Sequence, residues 1–591
     1  MSIPRDVPRD TQPPRSIRPL TSVFADLYRT DPDRCLFVFT DVHGEDAARR
    51  TVGDLARRAE GIRQLLSDGG VKPGERVVLV HLPSLEFVEA FLGCLAAGVL
   101  PVPVAPPNPF ALEQDLARVS AVADDCGAQA ILTHQDYLAV LDAAGSGEVP
   151  ARSRQPWLVP DLDESGTMPF LDLWHRPSDP DEPAYLQFTS GTTGPPKCVT
   201  VSHRNMHHEI EALAEDLCLD ESTVAVAWVP HYHDMGLVCV LLSTLAGNSG
   251  RTYLISPLDF LLRPAVWFDV LSRVRGTHTS GPHFALDLMC RKTTEEQRAG
   301  WDLSSVQVFS AGAEIVRTAA VEAFFETFRG TGLDSACFHP GYGLAEHTMS
   351  LAMGSGGPLA LDRDQLARGR VVRAKPGPDH HRTVCYGAGW AIKPDTSLRV
   401  VDPESRLPCG PDEVGEIWVD SPTKALGYWG REQATRETFH AEIGDGDPRR
   451  YLRTGDVGFL RNGELYVTGR LQDLIVIDGL RHQAEDIEEA VRGCHPGIRR
   501  GGVAAFSVPA DPGGPEQRLI MLVESTGEPA DLGLAEEIRQ AVRTQIETEF
   551  GITPAEVVVG RKLVRKTTSG KVRRRACRDE YLAADGLRGS M

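Results

Sequence analysis

No C-x-x-C pair occurs in this chain; its 12 cysteines are scattered singly, without framework spacing. That argues against a disulfide scaffold and fits reduced thiols in a cytoplasmic protein. His231 with His233, and the pair His207-His208, could ligate a metal, but no Cys or further His stands at matching spacing, so a structural zinc is not expected. There is no excess of positive charge either. A formal net charge of -20 argues against a general nucleic-acid binder. The first twenty residues lack an apolar core and hold several prolines, so they read as a disordered lead-in, not a signal peptide. The longest apolar stretch, Ala90–Pro107, carries four prolines at one end, which speaks against a membrane helix and for a core helix leading into a buried strand. Internal repeats are absent, as are low-complexity segments beyond the lead-in.

What is present is a long chain of ordinary globular composition. At 591 residues, 41% hydrophobic and 24% charged, it exceeds one core, so two or more domains are expected. From Phe24 to Ala184, apolar runs such as Arg76–His81 and Ala130–Thr133 alternate with helical patterns at Glu86–Ala97 and Ala111–Ala123. That alternation predicts an α/β domain of parallel sheets covered by helices. The segment from residue 473 onward predicts a small α+β domain, with strands at Leu474–Ile477, Val503–Val508, Leu519–Val523 and Val557–Val559 and helices at Ala484–Val491 and Leu534–Phe550. The expected division is therefore 1–20 lead-in, 21–472 large domain and 473–591 small domain. Ser350–Cys385, rich in Gly, Pro and Arg, reads as a long surface loop. The basic run Arg561–Arg575, RKLVRKTTSGKVRRR, reads as a solvated tail around an embedded Thr-Thr-Ser-Gly-Lys motif.

The most informative stretch is YLQFTSGTTGPPK. The strand-like run Tyr185–Phe188 breaks into Thr189, Ser190, Gly191, Thr192, Thr193 and Gly194, then Pro195-Pro196-Lys197, and a second strand-like run follows at Cys198–Val201. Glycines let a backbone approach a polyphosphate closely, while the hydroxyls and Lys197 supply donors and charge. A Walker A loop is excluded, because no Gly-Lys-Ser/Thr follows and no helix opens there. Taken alone, the cluster would read as a solvated hairpin turn.

Its partners downstream change that reading. TSGTTGPPK resembles the phosphate-binding signature of the adenylate-forming superfamily, which includes acyl-CoA synthetases, luciferases and peptide-synthetase adenylation domains. The likeness runs from about residue 185 to Lys571, and in detail is most similar to the fatty acyl-AMP ligase branch. It implies the fold of that superfamily, with a small mobile C-terminal domain. In Pro230-His231-Tyr232-His233-Asp234-Met235-Gly236, His233 matches the histidine at the carboxylate and phosphate end of the acid pocket; an imidazole there could donate to developing phosphate charge. Thr279–Asp287 resembles the segment lining the acyl tunnel, where Gly281 would let a chain pass. His231, His283 and His347 stand where relatives commonly have uncharged residues. They leave open a polar substrate group or drift at supporting positions. Gly312, Ala313 and Glu314 resemble the turn framing the adenine edge.

In Gly341-Tyr342-Gly343-Leu344-Ala345-Glu346, the resemblance implies that Tyr342 stacks on adenine and that Glu346 holds magnesium, a hard oxygen ligand for a hard cation. Asp456 would accept from the ribose hydroxyls and Arg470 would contact ribose and phosphate. Asp473 matches the hinge and Lys571 the catalytic lysine. Residues 350–385 match a ligase-type insertion that disfavours the geometry for coenzyme A, and Arg481–Glu488 departs from the coenzyme A ligase pattern. Together these imply ATP and Mg2+ as cofactors and activation of a carboxylic acid to acyl-AMP. An acyl carrier protein ranks ahead of coenzyme A as acceptor, and a fatty acid ahead of an aryl or polycyclic acid. The Arg573–Arg575 run is a candidate contact for an acidic carrier protein, though a solvated tail explains it equally well.

Overall fold

Runs of four to six apolar residues without alternation, such as Val224–Ala227 and Val308–Gly312, belong in strands covered on both faces, and such strands pair in parallel. The computed structural model describes residues 16–588 apart from 109–111, 144–153, 162–167, 190–195, 376–381, 392, 394, 511–515, 527–531 and 568–569. Among these residues the largest sheet has nine strands, in spatial order 390–391, 350–353, 338–343, 308–312, 278–282, 224–227, 251–254, 35–40 and 46–51. From 35–40 through 338–343 the neighbours run parallel, and the outer strands pair antiparallel. A second sheet, 100–103, 76–79, 130–132 and 157–158, is wholly parallel. Three antiparallel sheets complete the large domain, one of them the two-stranded pair 358–362 and 382–386. Of the other two, one joins 427–428, 198–202 and 183–188; the second joins 397–401, 415–420, 452–461 and 464–470.

Several helices start where the sequence carries its own cap. Thr51 and Asp54 form a reciprocal capping box at the head of helix Val52–Asp68, and Ser202 with Asn205 forms another at helix His203–Asp216. The described residues contain no helix long and apolar enough to cross a membrane. All twelve cysteines are free thiols.

From residue 474 on, the chain builds a separate apolar core around Ile475, Ile487, Val491, Val503, Met521, Ile538 and Val542. Strands Ile498–Pro509, Gln517–Ser525 and Glu556–Gly560 form its sheet, and helices Ala484–Arg492 and Leu532–Phe550 pack on it.

Two expectations fail. Ser350–Cys385 is not an irregular surface loop: strand Ser350–Met353 joins the main sheet, and Pro358–Asp362 pairs antiparallel with Arg382–Tyr386. Leu359, Leu361 and Val371 are buried against Phe459 and Tyr466. The two paired strands are short and lie far apart in sequence, so no local periodicity announces them. Nor is the basic C-terminal run a solvated tail, since Arg574 is buried and opens a helix, Arg574–Arg588. The first helix, Leu20–Thr30, starts with a buried Leu20 at the boundary expected for the large domain; residues 1–15 of the lead-in lie outside the described part.

Candidate active site

The carboxyl ends of strands 224–227, 278–282, 308–312 and 338–343 open on the same edge of the main sheet, where ligand clefts of α/β folds form. The loops leaving these strands, the hairpin 183–202 and the C-terminal domain enclose a cleft of about 1600 Å³.

The phosphate-loop stretch bridges the antiparallel strands Pro183–Phe188 and Cys198–Ser202. Ser190, Gly191, Thr192, Thr193 and Gly194 lie outside the described residues. The loop's two ends are tied together: Thr189 N–H donates to the Lys197 carbonyl at 3.0 Å, and Lys197 N–H to the Thr189 hydroxyl at 3.2 Å. The Lys197 ammonium sits 4.5 Å from the centre of the Tyr428 ring. Tyr428 in turn donates its hydroxyl to Glu346 Oε1 at 2.9 Å. Burial pushes the Glu346 carboxyl above its usual range, against the pull of Tyr428, Arg470 and Lys197. Thr189, Lys197, Tyr428 and Glu346 all line the cleft.

Along the adjacent strand end, Gly341, Tyr342 and Gly343 also line the cleft. Only glycine fits at 343, because a Cβ there would fall 1.8 Å from the Met349 carbonyl oxygen. The Tyr342 hydroxyl donates to Asp456 Oδ2 at 2.6 Å, and Arg470 Nε reaches Asp456 Oδ1 at 3.1 Å. Gly312, Ala313 and Glu314 form the neighbouring wall, with Ala313 in the left-handed region at φ 67°. Glu314 accepts from the Phe284 backbone N–H at 3.0 Å; burial raises its carboxyl, and Lys571 pulls it back.

His233 follows strand Val224–Ala227, and its Nδ1 lies 2.7 Å from Asp234 Oδ1. Burial pushes Asp234 up, yet His233 and then Lys571 outweigh it, so the carboxyl stays below its usual range. Gln187 ties this block to the phosphate hairpin by donating to the Tyr232 carbonyl at 2.9 Å.

Lys571 arrives from the C-terminal domain and lines the same cleft. Burial lowers its ammonium pKa, and Arg470 lowers it further, while Glu314, Asp234 and Asp456 work the other way. Asp473 lies where the two domains join. It pairs with Arg574 Nη1 at 2.6 Å, and Arg574 also grips Glu488 through two hydrogen bonds of 2.8 Å. That grip removes Arg574 from any carrier-facing role expected of the basic run.

Three expected pocket residues sit elsewhere. Gly281 is buried off the cleft, and a Cβ on it would lie 3.1 Å from Trp267 and 3.3 Å from Trp228, so indoles fill the space assigned to an acyl chain. His231 packs 5.7 Å from the Phe87 ring and does not line the cleft. His347 is fully buried in hydrogen bonds to Ser350 and Ser421. Only His283 lines the cleft, its Nε2 accepting from the Arg317 N–H at 3.4 Å and its pKa lowered by burial to about 4. Sequence reasoning missed Tyr428 and Asp234 as partners. Tyr428 stood in a short Gly-Tyr-Trp run, and Asp234 directly follows His233; adjacency was the one signal available.

Residues 24–429 match the family described as AMP-binding enzyme. The medium-chain-fatty-acid–[acyl-carrier-protein] ligase JamA of Moorena producens is 36% identical over 523 residues, covering 87% of this chain and 86% of that protein. The 4-hydroxyphenylalkanoate adenylyltransferase of Mycobacterium marinum is 34% identical over 575 residues, covering 93% and 89%. A crystal structure of the fatty acyl-adenylate ligase from L. pneumophila, in complex with acyl adenylate and pyrophosphate, is 30% identical and superposes with a TM-score of 0.72 over 95% of this chain and 96% of that one. The chain therefore belongs to the AMP-binding enzyme family, within the adenylate-forming superfamily and its fatty acyl-AMP ligase branch.

Proposed function

We propose that this protein activates a carboxylic acid, in first place a fatty acid, with ATP and passes the acyl group to the phosphopantetheine thiol of an acyl carrier protein. The observation that carries the reading is that Lys571, from the far end of the chain, lines one cleft with Lys197, Glu346, Asp456 and His233. In the first step the substrate carboxylate attacks the α-phosphorus of ATP; the new O–P bond forms as the bond to pyrophosphate breaks. No general base is needed, because the acid is already ionised near neutral pH. Both reactants are anions, so the barrier is one of charge and position.

Each residue then has a part. The loop Thr189–Lys197 cradles phosphates, and Lys571 offsets charge at the reacting phosphate. His233 gives Nδ1–H to Asp234, which fixes the ring at the carboxylate and phosphate end. Tyr342, Asp456, Arg470 and Gly312–Glu314 hold the nucleoside. Among the described residues no group of three acidic, His or Cys side chains could hold a metal. One half-buried carboxylate, Glu346, suits an ion that takes its other oxygens from phosphate and water, as magnesium does. When bound, magnesium supplies positive charge to the phosphates. Asp473 is the hinge of the small domain in this reading. A cytoplasmic setting belongs to it too, with free thiols throughout.

A second reading concerns the acid. The Moorena relative is named for medium-chain fatty acids and the Mycobacterium one for 4-hydroxyphenylalkanoates. With indoles packed on Gly281, the space expected there for an acyl chain is closed, which keeps an aryl acid in view. Pyrophosphate exchange against a panel of fatty and aryl acids, followed by transfer to a carrier protein and to coenzyme A side by side, tests all of this. Acid-dependent exchange and preference for the carrier are expected; exchange with no acid of either kind rejects the function.

A further inference from the structure

The turn that carries Glu346 is held in a conformation its residues do not favour. Thr348, two positions on, has φ 68° and ψ −55°, a left-handed backbone that a β-branched residue adopts only when its surroundings force it. The forcing groups are on one side of the turn. The Thr348 hydroxyl donates to the Thr423 carbonyl at 2.8 Å, and Ala425 N–H donates to the Glu346 carbonyl at 3.0 Å. Between them stands His347. Its Nδ1 lies 2.8 Å from the Ser350 carbonyl and its Nε2 2.6 Å from the Ser421 hydroxyl. A carbonyl can only accept, so the ring carries its proton on Nδ1 and Nε2 accepts from Ser421. One imidazole thus closes the turn on itself and fastens it to segment 421–425.

That segment is anchored independently. Asn205, in the capping box of helix His203–Asp216, donates to the Pro422 and Lys424 carbonyls at 2.8 and 3.0 Å. Behind the turn, Ser350 donates to the buried Glu209 carboxylate through both N–H and hydroxyl, and Lys393 bonds to Ser350 and Glu209. Burial lowers the Lys393 ammonium pKa and Glu209 opposes the drop. Glu209 Oε2 makes no hydrogen bond but lies 3.0 Å from the Lys393 ammonium, and the other groups named in the bracket are hydrogen-bonded, which stiffens a buried network. Three residues beyond Ala425, Tyr428 donates to the Glu346 carboxylate itself. Backbone and side chain of Glu346 are therefore aimed by the same segment.

We propose that His347, through Ser421, is a positioning residue that fixes Glu346 for magnesium-bound nucleotide, not a group that meets substrate. The proposal rests on the assignment of Glu346 made above. The test compares Ser421→Ala, His347→Ala and His347→Gln in the full chain, by deuterium uptake of residues 345–350 in the ligand-free protein and by calorimetric ATP affinity in magnesium and in EDTA. Ser421→Ala, which removes the hydroxyl that bonds His347 Nε2 and two longer contacts with Thr423 but no packing volume of His347, is expected to raise local uptake with the melting temperature nearly unchanged. It should also weaken the magnesium-dependent part of ATP affinity about tenfold while the affinity in EDTA holds. His347→Gln, which keeps a donor and an acceptor, should recover part of what His347→Ala loses. Unchanged uptake in Ser421→Ala, or affinities that fall equally in magnesium and EDTA, overturns the proposal. A wild-type affinity indifferent to magnesium overturns the Glu346 assignment instead, and this proposal with it.

Discussion

At the scale of single residues, the cleft sorts charged groups by what surrounds them. Lys571 is buried beside Arg470, which lowers its pKa, and faces Glu314, Asp234 and Asp456, which keep it charged. In the proposed reading a lysine so placed contributes through its position at the reacting phosphate rather than through general attraction for ATP. Lys571→Ala is expected to slow adenylation on the order of 10²–10³-fold while ATP affinity stays near wild type. Pyrophosphate exchange and calorimetry separate the two, and a loss of affinity matching the loss of rate would make Lys571 a binding group only. Because the ammonium pKa is lowered, wild-type activity should fall on the alkaline side before an ordinary lysine would titrate. Lys571 was legible in the sequence because its loop is a contiguous motif. Tyr428 was not, since its contact with Glu346 exists only once strand Gly427–Tyr428 pairs with Cys198–Ser202. The three extra histidines show the limit from the other side: residue type cannot say which face a side chain takes, and His231, His283 and His347 went three different ways.

At the scale of elements, the sheets and helices of both domains were legible wherever a run or period was local. Helix Glu86–Ala97 was expected and Leu85–Ala97 is found; strand Val557–Val559 lies within Glu556–Gly560. What escaped was structure made by distant pairing, above all the insertion. Its short helix Arg363–Ala367 reaches the C-terminal domain: Arg363 bonds to the Glu549 carboxylate at 2.9 Å and carbonyl at 3.0 Å, and its guanidinium stands 5.2 Å from the Phe550 ring centre. Removing the whole segment would uncover Phe459 and Tyr466, so a point change is the sharper probe. A partly exposed ion pair with a ring contact is worth about 1 kcal/mol. If this contact holds the small domain back from a coenzyme A-using geometry, Arg363→Ala should raise thioester formation with coenzyme A about fivefold. Thioester assays with coenzyme A and carrier protein in parallel read this. An equal change with both acceptors would mean that the contact tunes domain motion without selecting the thiol.

At the scale of the whole molecule, among the described residues the two domains meet through ion pairs at Arg317–Glu489, 2.5 Å, Arg500–Asp287, 3.5 Å, and Arg363–Glu549, all at least partly exposed and each worth little. The heavier charge terms lie inside the cores. His203, His231 and His283 are buried and neutral, each with its pKa lowered by burial to about 4. In the unfolded chain a histidine titrates near pH 6.5, so between about 6.5 and 4 the unfolded state binds protons that the native state refuses. Stability is thus at its full value above pH 6.5 and falls as pH drops, by about 1.4 kcal/mol per unit for each such histidine. Asp486, its carboxyl raised to about 6, works the other way, but it is exposed to solvent and its opposing effect is correspondingly small. The net result is a protein that weakens in mild acid, and His231 isolates the cause. Its Nδ1 is buried without a hydrogen-bond partner against Phe87, outside the cleft. Replacing it with an apolar side chain removes both a desolvated polar group and a suppressed titration. His231→Leu is expected to be neutral to mildly stabilising at pH 8 and, at pH 5, to gain about 2 kcal/mol more than at pH 8. Denaturant unfolding at the two values measures the difference directly. Equal gains at both would mean that His231 titrates normally in the native state and that the acid sensitivity resides in other groups.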